Sequence, residues 1–384
     1  MKTCPGCGKP IEDDLQLCAD CAAKAEPKTK KKGAKRLWIV LLALLAVAAL
    51  GALIWYLTSG TVDTGLEPEA KASAVPTPSA AVTEPEKPEP TPAVDPDTVT
   101  PAMWKVTDSE GHTLYLFGTI HTGDARNDVA IDKIVPTLDD CDALAVEFDL
   151  KEYEESREMQ METVQTFLLT DGSKVSDRMP AELYESAKAL LREAGVYNRA
   201  LDSYNLPFWS TLVEQAIMLK YSELDSDSAM DSQLIEHAYD NDQPVYSIES
   251  AKLQYDLLNS MPDELCIASI EYALDHMDSY NDSLMEMYEI WLSGDTDALV
   301  AYLEQETEDE DEAFSEEVIA MSEAFDKAML DDRNDDMFIK AREYLASGET
   351  VFFAVGAAHM VGDHGLVQLL TDAGYTVERF DYNA

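Results

Sequence analysis

Positive charge is scarce in this chain: 28 Lys and Arg stand against 75 Asp and Glu in 384 residues, a formal net charge of −47. So acidic a body repels phosphate backbones, which argues against nucleic acid as a partner. The shortage is not uniform, because the first 36 residues hold nine Lys/Arg and five Asp/Glu. Cysteine is almost absent beyond residue 21, where only Cys141 and Cys266 occur. Neither has a basic sequence neighbour to lower its thiol pKa, so a cysteine nucleophile is not expected. Also missing are a Gly-x-Ser-x-Gly elbow, a Walker loop, a dinucleotide fingerprint and a His-Glu-x-x-His helix. Each absence removes the chemistry that the motif supports.

The remaining four cysteines form two knuckles, Cys4-x-x-Cys7 and Cys18-x-x-Cys21. Four thiolates at this spacing suit the tetrahedral preference of Zn²⁺, with Pro5, Gly6 and Gly8 supplying tight turns. A redox dithiol or a disulfide staple competes less well with that pattern. Residues 1–26 are therefore read as a zinc ribbon folded largely by its metal, with a cytoplasmic protein contact as its partner class. A peptide spanning residues 1–26 is expected to bind one zinc ion. Failure to bind zinc under reducing conditions would refute the ribbon.

Residues 27–36 form a basic segment that includes Lys28, Lys30, Lys31, Lys32, Lys35 and Arg36. Residues 37–57 are an uncharged apolar run with Trp38 near one end and Trp55 and Tyr56 near the other. That length spans a bilayer, and the flanking charge predicts a cytoplasmic N-terminus and an extracellular C-terminal domain on a single-pass cell-membrane helix. A cleaved signal peptide fits less well, because the ribbon precedes the run and the run is long. Residues 58–101 are rich in Pro, Ala, Thr and Glu and read as a disordered linker.

Residues 102–384 read as one α/β unit: a mixed β-sheet with flanking helices and a large helical insertion, preceded by the small zinc ribbon and the one transmembrane helix. Expected strands cover 114–118, 143–148, 245–248, 351–355 and 376–380, each a short β-branched or aromatic run between polar residues. A long helical tract is expected from Pro262 to about Ala346. Two strands end alike, Leu116-Phe117-Gly118-Thr119-Ile120-His121 and Phe353-Ala354-Val355-Gly356-Ala357-Ala358-His359. A strand running into Gly-x-x-His delivers an imidazole to the sheet rim, where α/β folds bind ligands. Two imidazoles at one rim are the start of a metal site.

Glu147, at the end of the apolar run 143–146, supplies a third group, since a buried carboxylate needs a metal or a charged partner. His121, His359 and Glu147 would make a His₂Glu set. Glu147 could instead be the general base, with a carboxylate such as Glu249 completing the ligands; the residue pattern leaves both open. Arg333 could orient Glu147, stabilise an oxyanion or form a surface pair. Asp231 opens an amphipathic helix, which it could simply cap.

These segments occur in an order that resembles the TraB/GumN family, which includes the pheromone-shutdown proteins and is similar to the TIKI metalloproteases. The stretch of Gly365-Leu366-Val367-Gln368-Leu369-Leu370 with Gly374-Tyr375-Thr376-Val377 completes the resemblance. Where many relatives have Gly-Leu-Asp, this chain has Ala229-Met230-Asp231. The resemblance implies that His121, Glu147 and His359 are metal-site residues and that Arg333 assists them. It also implies a divalent-metal-dependent peptidase using Zn, Mn or Co on a peptide or protein substrate. The competing expectations are a non-catalytic binder that sequesters a peptide pheromone, and an ectodomain sensor that signals to the ribbon.

Overall fold

The computed structural model describes residues 2–3, 10–11, 94–226, 228–305 and 314–382. Near the N-terminus, β1 (Lys2–Thr3) pairs antiparallel with β2 (Pro10–Ile11). The four ribbon cysteines, the apolar run 37–57 and most of the linker lie outside the described residues. Among the described residues no helix is long and apolar enough to cross a membrane.

The main body is built on a six-stranded mixed sheet of order β6-β5-β7-β4-β3-β8. Its strands are β3 (Met103–Thr107), β4 (Thr113–Thr119), β5 (Ala143–Val146), β6 (Val245–Ser247), β7 (Val351–Gly356) and β8 (Thr376–Arg379). β6, β5, β7 and β4 run parallel, while β3 is antiparallel to both β4 and β8. The sequence reading missed β3. It forms a hairpin with β4 through a turn in which Asp108 binds the His112 amide and Gly111 takes φ +93°.

Helices cover both faces of the sheet, so β4 and β7 are apolar on both sides. Phe117, Phe352 and Ala354 pack with α1 (Arg126–Asp139), α6 (Met230–Asp240) and α9 (Met277–Ser293). Leu114, Leu116, Phe353 and Val355 pack on the other face with α12 (Asp331–Ser347) and α13 (Leu366–Asp372). A separate core gathers α2 (Leu150–Glu155), α3 (Arg157–Phe167), α4 (Ala181–Glu193), α5 (Leu206–Tyr221), α7 (Ala251–Asn259), α8 (Asp263–Asp275) and α11 (Glu316–Met329). Among the described residues, the helical tract expected from Pro262 to about Ala346 consists of α8, α9, α10 (Thr296–Leu303), α11 and α12, with Gly294 closing α9 in the left-handed conformation.

Chain direction positions the site. From the C-terminal ends of neighbouring β4 and β7, the chain leaves for opposite faces, through α1 on one and α13 on the other. Such a divergence opens a crevice at the carboxyl end of a parallel sheet.

Candidate functional site

Four candidate side chains follow the four parallel strands: His121 after β4, Glu147 after β5, Glu249 after β6 and His359 after β7. The two motif glycines serve different ends. A Cβ on Gly118 would lie 2.9 Å from Ala357 Cα, so its absence lets the turn Ala357–Met360 pack on the end of β4. A Cβ on Gly356 would lie 3.3 Å from Glu147 Oε1 and 3.6 Å from His359 Cδ2, within the space between those two side chains. The Gly356 amide instead donates to Glu147 Oε1 at 2.9 Å.

Arg333, on the first turn of α12, reaches back under the rim. Its Nη2 donates at 2.7 Å to Oε2 of both Glu147 and Glu249, and its Nε donates to Glu249 Oε1 at 3.0 Å. The side chains of Arg333, Glu147 and Glu249 are only 3%, 9% and 4% exposed. Burial alone would raise the Glu147 carboxyl. The Arg333 guanidinium, with further help from the nearby imidazoles and the Gly356 amide, outweighs burial and holds it well below the usual carboxylate range.

His359 is 1% exposed. Its Nδ1 lies 2.6 Å from Asn334 Oδ1, and the Asn334 amide is oriented because its Nδ2 donates to the His364 carbonyl at 2.9 Å. Nδ1 must therefore carry the proton, leaving the lone pair on Nε2. That nitrogen is buried without a hydrogen-bond partner, 4.0 Å from Glu147 Oε1. Burial, reinforced by the Arg333 charge, pushes His359 down to about 3, so its imidazole is neutral at physiological pH.

His121 lies on the accessible side of the cluster, with Nδ1 bonded to Asp231 and side-chain exposures of 12% and 16% for the two residues. Burial opposes its charging, but the Asp231 carboxylate outweighs burial and raises its pKa. The capping alternative for Asp231 does not hold, because α6 has Ala229 at its N-cap and no side-chain cap bond. The loop after His121 is pinned by a bridge between Gly123 and Asp225, and the Met230 amide donates to the Ile120 carbonyl.

A family model described as the TraB/PrgY/gumN family matches residues 102–379, more than half of the chain. The chain belongs to that family. No curated protein and no solved structure matches it.

Within this TraB/PrgY/gumN domain, the structure gathers all six of the domain's residues singled out in the sequence. Glu147, Glu249 and Arg333 form one ion-paired cluster, His359 borders it, and His121 and Asp231 form the accessible pair. Glu249 has both oxygens engaged by the Arg333 fork. Two partners went unread: Asn334, which orients His359, and Gln254 of α7, which donates to Glu147 and Glu249. Asn334 adjoins Arg333 and shares its helix turn, a signal that was available. Among the described residues no three His, Cys, Asp or Glu side chains stand close enough together to hold a metal ion as they lie. Cys141 and Cys266 are both buried; burial together with Asp140 and Asp142 pushes the Cys141 thiol up to about 12.

Proposed function

We propose that this TraB/PrgY/gumN domain is a metal-dependent hydrolase acting on peptides, anchored to the cell membrane by residues 37–57 and displayed outside the cell. The observation that carries the reading is His359 Nε2, a buried lone pair of fixed tautomer with no partner. It lies 4.0 Å from Glu147, which shares a single guanidinium with Glu249. An orphaned imidazole nitrogen beside surplus negative charge suits a cation.

The residues that would hold a divalent metal are His359 through Nε2, Glu147 through Oε1 and His121 through Nε2. Asn334 and Asp231 bond the opposite ring nitrogens, the support that metal-binding histidines usually have. His121 must move toward the other two, and at 12% its side chain is more exposed than those of Glu147 and His359. A bound metal would polarise a scissile carbonyl and lower the pKa of its water toward ~7. Arg333 keeps Glu147 ionised and Asp231 keeps His121 oriented. Peptide as substrate rests on the resemblance to the TIKI metalloproteases.

One observation favours a second reading, a binder that sequesters peptide without cleaving it: Glu147, Arg333 and His359 are almost inaccessible to solvent. Metal content and peptide turnover of the purified full chain separate the two. His359→Ala and His121→Ala are each expected to lose one metal equivalent and to lower cleavage by about two orders of magnitude. Full metal and full cleavage in both variants would remove the site. Tight peptide binding without cleavage under Zn, Mn and Co would select the sequestering reading.

A further inference from the structure

Gln254 has no charge and belongs to no motif, yet its side chain lies inside the buried charged cluster of Glu147, Glu249 and Arg333. It is 5% exposed on α7, one turn beyond the Ser250 cap. Its Nε2 donates to Glu147 Oε2 at 2.8 Å and to Glu249 Oε2 at 3.1 Å. Arg333 Nη2 donates to the same two oxygens. Four atoms thus close a ring in which Gln254 Nε2 and Arg333 Nη2 each spend two hydrogens on the two Oε2 atoms, and Glu249 Oε2 accepts a third from Arg333 Nε at 3.1 Å. The guanidinium gives its second contact, Nε to Oε1, to Glu249 alone. Glu147 Oε1 is left with a single donor, the Gly356 amide, on the side that faces His359.

We propose that Gln254 is a positioning residue: with Arg333 it ties down Oε2 of Glu147 and thereby presents Oε1, and only Oε1, toward His359. The inference rests on the metal-site reading for its purpose but not for its test. Two like-charged carboxylates joined by one guanidinium repel each other across the free side of the pair. The second bridge closes that side with neutral N–H groups and adds no charge. Glu249 acts through the same ring, occupying the fork so that the guanidinium does not take both oxygens of Glu147.

The reporter is the Gly356 amide, whose hydrogen-bond acceptor is Glu147 Oε1. Hydrogen exchange at Gly356 is measured in the full chain for wild type, Gln254→Ala and the isosteric Gln254→Glu, with Phe353 and Ala354 of the same strand as references. Both variants are expected to speed exchange at Gly356 about tenfold relative to the references, the factor for roughly 1.4 kcal/mol of a charge-assisted hydrogen bond. Equal acceleration at all three amides would show a merely structural role and overturn the proposal. So would unchanged exchange at Gly356, or a Gln254→Glu variant that behaves as wild type. A separate Mn²⁺ titration of wild type, followed by loss of the free-ion EPR signal, decides the metal reading alone; no binding there leaves the exchange result to decide Gln254.

Discussion

Arg333→Met is expected to unfold the TraB/PrgY/gumN domain at neutral pH, or to leave it marginally stable, before any question of activity arises. Nothing in residues 102–384 alone announces so large an effect, because an Arg among acids on a helix reads as a surface pair worth about 0–1 kcal/mol. Its burial changes the magnitude. The guanidinium is 3% exposed and is the cation that contacts both Glu147 and Glu249. Removing one partner of a buried pair costs about 3–5 kcal/mol, and here two carboxylates lose their counter-charge together. A domain of this size has about 5–15 kcal/mol to lose. Urea denaturation of wild type and variant measures the difference. A midpoint within error of wild type would show that the cluster is wetter than its burial indicates.

The pH dependence of the same variant gives a sharper check, because its sign should reverse. In wild type the Glu147 carboxyl is held below its unfolded value. Its pairing therefore adds stability above the ordinary Glu pKa of about 4.3, lost only as pH falls through the depressed folded value. Without Arg333, burial dominates and raises the Glu147 carboxyl in the folded state. Stability is then greatest below about 4.3 and declines as pH rises. Arg333→Met should be firmer at pH 4.5 than at pH 7.5. Adding Glu249→Gln, which removes one of the stranded charges, should recover part of the loss at pH 7.5.

Much of this site was legible because strand geometry is short-range. Val351–Gly356 alternates side chains between two covered faces, so a continuous apolar run ending in Gly reads as a central strand delivering the next side chain to the rim. The same logic placed His121, Glu147 and Glu249. Strand β3 was passed over because Met103–Thr107 is short and half polar; its pairing with β4 on one side and β8 on the other makes it a strand. The division of the tract beyond Pro262 was partly visible at Gly294 but not at Leu330, where a non-glycine residue breaks the chain between α11 and α12. Gln254 lay beyond sequence reasoning. It meets Glu147 across 107 positions, and a neutral amide on an amphipathic helix carries no local signal. Arg333 stood out in the sequence, but its burial depends on how α12 packs against the sheet.

Glu214 is expected to act in the opposite sense, as a group that costs the wild-type protein stability at high pH. It lies on α5 in the helical core, 3% exposed, and its Oε2 has no hydrogen-bond partner. Ser210, one turn earlier on the same helix, and Tyr280 on the adjoining α9 also have hydroxyls without partners. Burial, with no cation to oppose it, pushes the Glu214 carboxyl well above its ordinary range. A folded-state pKa raised above the unfolded value means that the folded protein binds the proton more tightly. Stability is then fully present below about 4.3 and is lost as pH rises toward the folded value. Glu214→Gln keeps the shape and removes the titration. Near pH 4.5, where the wild-type carboxyl is protonated in the folded state and partly so in the unfolded state, the variant should lie closest to wild type. At pH 8.5 it should be the more stable of the two, with a flatter dependence between those limits. Paired denaturation curves at the two pH values measure this. Because Glu147 contributes with the opposite sign, the slope that disappears in the variant belongs to Glu214 and not to the Arg333 cluster. Parallel curves for wild type and variant would mean that Glu214 is hydrated or paired in solution, and that the helical core opens there to water.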